Sequence, residues 1–288
     1  MIGNQRIGYE IAGMKLTVST PWKEKVSDAF RPFVREFENA DWEVVFSEIP
    51  KVEIPNGKML YENSIFRVYE REEGVFERQY YNDRADRTAY VSVLTDAKQK
   101  KVFTNYLGEA KGKFGSGEAE FFCIAFEKIL MEEQAMILHA SCVDTPYGGL
   151  LFVGHSGAGK STQAELWCQH GNGKLLNGDR PILKAGTEGF FAYGSPYAGS
   201  SGCHVNERCK IRAMFFVKQA ETCQLRPLKG VEKFRKVFGN LTVNLWDPTF
   251  VAMAGNFAQK LAEEIPMYEF SCTKEQEAVE TLELLLKI

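Results

Sequence analysis

Residues Gly154 to Thr162 read Gly-His-Ser-Gly-Ala-Gly-Lys-Ser-Thr, a complete G-x-x-x-x-G-K-S/T loop. Leu151, Phe152 and Val153 precede it and read as a buried strand, while Gln163 to Trp167 follow it and read as a helix. That context gives the pattern a mechanism. Glycines let the backbone N–H groups of Gly154, His155, Ser156, Gly157, Ala158, Gly159, Lys160, Ser161 and Thr162 turn inward around a polyphosphate, and the helix N-terminus adds the positive end of its dipole. Lys160 is then placed to reach the β- and γ-phosphates, and the Ser161 hydroxyl to ligate Mg²⁺.

The chain has 288 residues, room for two domains or one large one, and its 44% apolar content supports a sizeable core. A net charge of −3 leaves no basic face to attract nucleic acid or an anionic membrane. No apolar run approaches the ~20 residues of a membrane span, and the N-terminus lacks the layout of a secretion signal. Seven cysteines without framework spacing read as reduced thiols, so the expected compartment is the cytoplasm. Cys203, His204 and Cys209 offer three zinc ligands but no evident fourth and no C-x-x-C spacing, and they read as packing residues.

The pattern of the first third is α+β and rich in antiparallel strand. Met14–Ser19 and Trp42–Ser47 alternate as half-buried strands do, and a helix is expected over Trp22–Phe37, broken or kinked at Pro32. Ile65–Arg71 and Val75–Tyr81 flank Glu72-Glu73-Gly74, a hairpin signal, and two more strands follow at Ala89–Leu94 and Lys101–Tyr106. The glycine-rich stretch Gly108–Gly117 marks a boundary, dividing an N-terminal α+β domain, 1–112, from a second domain, 113–288. Ser116 can cap a buried helix over Glu118–Glu133. Beyond Ala135 strands alternate with helices, beginning with a strand over Met136–Val143 and ending with a helix over Lys274–Lys287.

Three features near the loop narrow its chemistry. Asp179 follows the short strand Lys174–Asn177, either as a turn residue before Arg180-Pro181 or as a carboxylate that can hold Mg²⁺ or act as base for an incoming hydroxyl. His139 puts a polar ring into the apolar strand before the loop strand, either as a core histidine or as a group near a γ-phosphate. The stretch Gly194–Gly202 can bring backbone close to a ligand or serve as a connector. Lys229, Lys233, Arg235 and Lys236 read as a solvated helix face, with a transition-state cation as the functional alternative.

Taken together, His139-Ala-Ser-Cys-Val-Asp, Gly148-Gly-Leu-Leu-Phe-Val-Gly-His-Ser-Gly-Ala-Gly-Lys-Ser and Asn177-Gly-Asp-Arg resemble the HPr kinase/phosphorylase catalytic domain. The wider group takes in HPr-kinase-related proteins and the distantly related ATP-dependent phosphoenolpyruvate carboxykinases. The resemblance covers Ala135–Arg180. It implies an α/β protein with a catalytic domain of HPr-kinase type behind a strand-rich N-terminal domain, binding ATP and Mg²⁺ and phosphorylating a serine of a protein or peptide. It puts the catalytic roles on Asp179, His139 and Lys160, and the metal on Ser161 and Asp179. The family's aspartate pair falls on Gly178 and Asp179, His155 replaces an acidic residue, and Asn206-Glu207-Arg208-Cys209 stands where a Glu-x-Arg-Gly signature is expected. These departures point away from HPr as substrate and toward the peptide-maturation branch. A nucleotide-binding regulator with little catalysis and a small-molecule kinase remain alternatives; the oligomeric state, a homo-oligomer included, is open.

Overall fold

The computed structural model describes residues 5–22, 26–82, 87–113 and 123–287. It is a mixed α/β structure with two large sheets and few helices. Its contacts divide it into two compact units, Met1–Glu133 and Gln134–Ile288, beyond the glycine-rich stretch. Among the described residues no helix is long and apolar enough to cross a membrane.

Among the described residues the first unit is built on eight strands: β1 (Gln5–Ile11), β2 (Met14–Thr20), β3 (Trp42–Glu48), β4 (Lys58–Glu62), β5 (Phe66–Glu72), β6 (Val75–Tyr81), β7 (Ala89–Asp96) and β8 (Lys101–Tyr106). Their order is β1-β2-β3-β8-β7-β6-β5-β4. β4 to β8 form an antiparallel meander, and β3 lies parallel to both β2 and β8. The β5–β6 hairpin forms as its sequence predicts, with Gly74 at φ +81° in the turn. β3 buries Trp42, Val44 and Phe46 on one face, the period-two pattern that identified it.

The helix expected over Trp22–Phe37 does not form in the described part. Residues 28–30 make a turn, Arg31–Phe33 a single 3₁₀ turn, and Val34 a bridge to Tyr9; residues 23–25 lie outside the described residues. Pro32 supplies no N–H and restricts Arg31, while Phe30 and Phe33 are buried, Phe30 edge-on to Tyr9. Gly108–Lys113 forms a 3₁₀ segment, and α1 (Phe126–Glu132) is the described part of the helix expected over Glu118–Glu133. Ser116 and Glu118 lie outside the described residues.

The second unit has nine strands: β9 (Ala135–Ile137), β10 (Ala140–Thr145), β11 (Gly148–Val153), β12 (Lys174–Asn177), β13 (Ile182–Gly186), β14 (Gly189–Tyr193), β15 (Arg208–Gln219), β16 (Gln224–Pro227) and β17 (Met267–Cys272). They run β12-β10-β11-β15-β14-β13-β9, with β17 also on β15 and β16 beyond it. β15 changes neighbours along its length. Arg208–Lys210 pair antiparallel with β14, then Ile211–Phe216 lie parallel to β11 and Met214–Gln219 parallel to β17. Four helices complete the unit: α2 (Lys160–His170), α3 (Val231–Phe238), α4 (Pro248–Glu264) and α5 (Glu277–Leu286). α2 and α5 share a core with β11, β15 and β17, in which Phe152, Trp167, Phe215, Phe270 and Leu282 are fully buried. α4 begins where its sequence says: Asp247 accepts from the N–H groups of Thr249 and Phe250, and Pro248 occupies the first turn.

The single strand expected over Met136–Val143 is two. β9 pairs with β13 and β10 with β11 and β12, so the chain crosses the sheet at Leu138–His139. His139 therefore sits in the break between strands, where its N–H donates to Asn240 O instead of to a ladder partner.

Phe215 stacks between Phe152 (centroids 5.8 Å) and Tyr268 (5.7 Å) with no solvent exposure. Phe215→Ala should cost about 3–5 kcal/mol of stability, read as a lowered urea midpoint for the second unit; an unchanged midpoint would deny this ring its place in the core.

Candidate functional site

β11, β15 and β17 are parallel, so the segments that follow them emerge on one side of the sheet: Val153 lies beside Phe216, and Cys272 beside Gln219. Parallel sheets hold ligands at the carboxyl ends of their strands. Here that end carries a cavity of about 440 Å³. The loop after β11 and the start of α2 line it with Ser156, Gly157, Gly159, Lys160, Ser161 and Thr162. His139, Gly178 and Asp179 line it from the β9–β10 break and the turn after β12, joined by Gly199, Ser200, Gln219 and Lys274.

The loop owes its shape to glycine at two positions. Gly157 and Gly159 have φ +78° and +105°, the left-handed region other residues avoid. Gly154 supplies closeness: a Cβ there would lie 2.9 Å from Ala158 Cβ and 3.4 Å from Val217 Cγ2. Gln219 Nε2 donates to Gly157 O at 2.6 Å and ties the loop to the end of β15. Of the nine residues expected to hold a ligand, six line the cavity. Gly154 and Ala158 pack into the turn, and His155 faces solvent with Nδ1 2.7 Å from Ser156 O.

Lys160 is only 7% exposed, and its Nζ donates to Gly154 O (3.0 Å) and His155 O (3.3 Å). Burial pushes its pKa down; Asp179 opposes this and Arg180 adds to it. A poorly hydrated ammonium lining this cavity is suited to an anion, although one loop amide, Ala158 N–H, is spent on His155 O (3.1 Å) and does not face it.

The Asp179 side of the cavity is anchored by Asn177, which is fully buried. Its Oδ1 accepts from the N–H groups of Asp179 (2.9 Å) and Arg180 (2.6 Å), and its Nδ2 donates to Ser195 Oγ (3.2 Å) and Tyr197 O (3.0 Å). Ser141 Oγ donates to Gly178 O (2.8 Å), and Ala140 N to Asp179 O (3.0 Å). The turn is thus bonded both to β10 and to the Ser195–Tyr197 segment. Asp179 Oδ1 lies 3.2 Å from His139 Nε2, and Oδ2 lies 3.6 Å from Arg180 Nε. Burial lowers the His139 pKa, and the Lys160 charge lowers it further against the pull of Asp179. A neutral imidazole with Nε2–H toward the carboxylate follows.

Gly178 has no space for a side chain. A Cβ there would lie 2.2 Å from Ser201 Oγ and 2.4 Å from Ser201 Cβ. Gly199, at φ +56°, backs onto the next residue, its Cβ position 2.8 Å from Asp179 Cβ. The Gly194–Gly202 stretch therefore packs directly on the Gly178–Asp179 turn.

Gln219 and Lys274 carried no motif. Their signal is position: the last residue of one parallel strand and the loop after another, visible only once strand order is known. Lys229, Lys233, Arg235 and Lys236 do not line this cavity; Lys236 lies 3.2 Å from Glu269, and Lys233 donates to Ala262 O. Cys203 donates to Leu175 O (3.3 Å) while Cys209 faces Cys142 (3.9 Å), and no group of three or more His, Cys, Asp or Glu is placed to hold a metal ion among the described residues.

Gly178→Ala should lower stability by about 1–3 kcal/mol, and Ser201→Gly added to it should recover most of that loss. A thermal-unfolding cycle measures the coupling; purely additive losses would place Ser201 away from Gly178. Neither known family models nor curated proteins give a match to this chain, so what the site does is argued from its own residues.

Proposed function

We propose that the second unit binds Mg-ATP at the Gly154–Thr162 loop and transfers the γ-phosphoryl group to a serine hydroxyl of a protein or peptide. The observation that carries this reading is the single cavity shared by Lys160, Ser161, Asp179 and His139. The resemblance of His139–Asp144, Gly148–Ser161 and Asn177–Arg180 to the HPr kinase/phosphorylase catalytic domain supports a catalytic unit of that type.

Each residue then has a task. Loop amides and the Lys160 ammonium stabilise charge on the transferring group. Ser161 and Asp179 offer hard oxygen donors, which fit Mg²⁺; when bound, the ion supplies neutralising charge to the phosphate oxygens. Asp179 accepts the proton of the acceptor hydroxyl, and neutral His139 fixes the orientation of its carboxylate by the 3.2 Å contact. One observation favours a second reading. Gly178 has neither a carboxylate nor room for one, which suits a nucleotide-binding regulator with little turnover.

Transfer of label from γ-labelled ATP, in the presence of Mg²⁺, into an extract of source cells separates the readings. The expected result is a labelled polypeptide that disappears with Lys160→Ala and falls at least about a hundredfold with Asp179→Asn, ATP binding surviving in the latter. Label confined to small molecules would replace the acceptor class with a metabolite. Tight Mg-ATP binding with no transfer would replace the kinase with the regulator.

A further inference from the structure

We infer that the chain carries its own acceptor: Ser200, on the Gly194–Gly202 segment, receives the phosphoryl group. This rests on the kinase reading above and names its substrate. Three serines line the cavity, Ser156, Ser161 and Ser200. The first two belong to the loop assigned to the nucleotide. Ser200 comes from the segment packed behind Asp179, the assigned base.

The other serines of that segment are engaged. Ser195 is fully buried, with Oγ bonded to Arg180 O (2.7 Å) and Tyr197 O (2.8 Å). Ser201 Oγ donates to Ala198 O (2.6 Å) and accepts from Cys203 N (3.3 Å) while its side chain fills the space over Gly178. Ser200 is exposed and, among the described residues, its hydroxyl has no hydrogen-bond partner. It sits at the centre of a single 3₁₀ turn, Gly199–Ser201, bounded by Gly199 at φ +56° and Gly202 at φ +59°. The turn is fixed at its base by Ser201 and the Asn177–Ser195 bonds, and it presents one unengaged hydroxyl to the cavity that Asp179 and Lys160 line.

The step balances within these groups. Ser200 Oγ attacks the γ-phosphorus; the bond from that phosphorus to the bridging oxygen breaks, and ADP leaves with the electron pair. The hydroxyl proton passes to the Asp179 carboxylate. The resulting phosphoserine stays in a cavity lined by Lys160 and Lys274, where it would compete with the phosphates of a second nucleotide.

The test incubates the full chain with Mg-ATP and maps phosphate by mass spectrometry. Expected is one phosphate on Ser200, formed at a first-order rate that tenfold dilution of protein leaves unchanged. Lys160→Ala and Ser200→Ala should abolish it, while Ser200→Thr should retain it more slowly. Labelling of another polypeptide with Ser200 unmodified overturns this inference and leaves the kinase reading standing; ADP release or nucleotide binding with no labelled polypeptide overturns both. A rate proportional to protein concentration overturns transfer within one chain. Absence of both nucleotide binding and ADP formation removes the kinase reading and this inference together.

Discussion

The second unit depends on the way β15 is paired. Its first three residues belong to an antiparallel ladder with β14, Ile211–Phe216 lie parallel to β11 and Met214–Gln219 parallel to β17, so that Met214–Phe216 are held between the two. A strand shared in this way has to be apolar on both faces where it is central, and Ala213 to Val217 are all buried. The parallel arrangement makes β11, β15 and β17 finish on one side. The chain after each then has nowhere to go but around a common cavity, which is why a glycine loop, Gln219 and Lys274 meet although their sequence positions are remote.

Around that cavity the polar groups are held by buried hydrogen bonds. Asn177 spends its side-chain oxygen on two backbone donors and its amide on the Ser195–Tyr197 segment, so one residue fixes the turn that carries Asp179 and the segment that carries Ser200. Unsatisfied, any of these buried groups would cost about 1–3 kcal/mol. The same packing limits what residue 178 can be. With Ser201 lying over residue 178, glycine is the residue that fits.

Charge follows from the burial. Lys160 and His139 are both drawn away from their charged forms by loss of water, and each also feels neighbouring charges, Asp179 opposing the shift and Arg180 reinforcing it. The result is a carboxylate contacted by a neutral imidazole across from a thinly hydrated ammonium, a polarity suited to moving a proton toward Asp179 while negative charge gathers near Lys160.

Much of this was legible in the chain. The glycine loop between a strand and a helix, the hairpin at Gly74, and the helix opened by Asp247 and Pro248 are local features, fixed by backbone sterics and by bonds between residues a few positions apart. The Trp22–Phe37 segment misled because its apolar residues are buried by tertiary contacts around a proline, without the helix their spacing suggested. His139 was picked out as a polar ring in an apolar run, but the break that turns it toward Asp179 exists because β9 and β10 find different partners. Sequence alone determined the strand–glycine loop–helix arrangement and which residues were candidates, since these depend on residue type and short-range spacing. Only the tertiary structure decided which of them share a cavity, that Gly178 has no space for a side chain, and that Gln219, Lys274 and Ser200 join the site. Strand order and close packing between distant segments are long-range properties that no local pattern encodes.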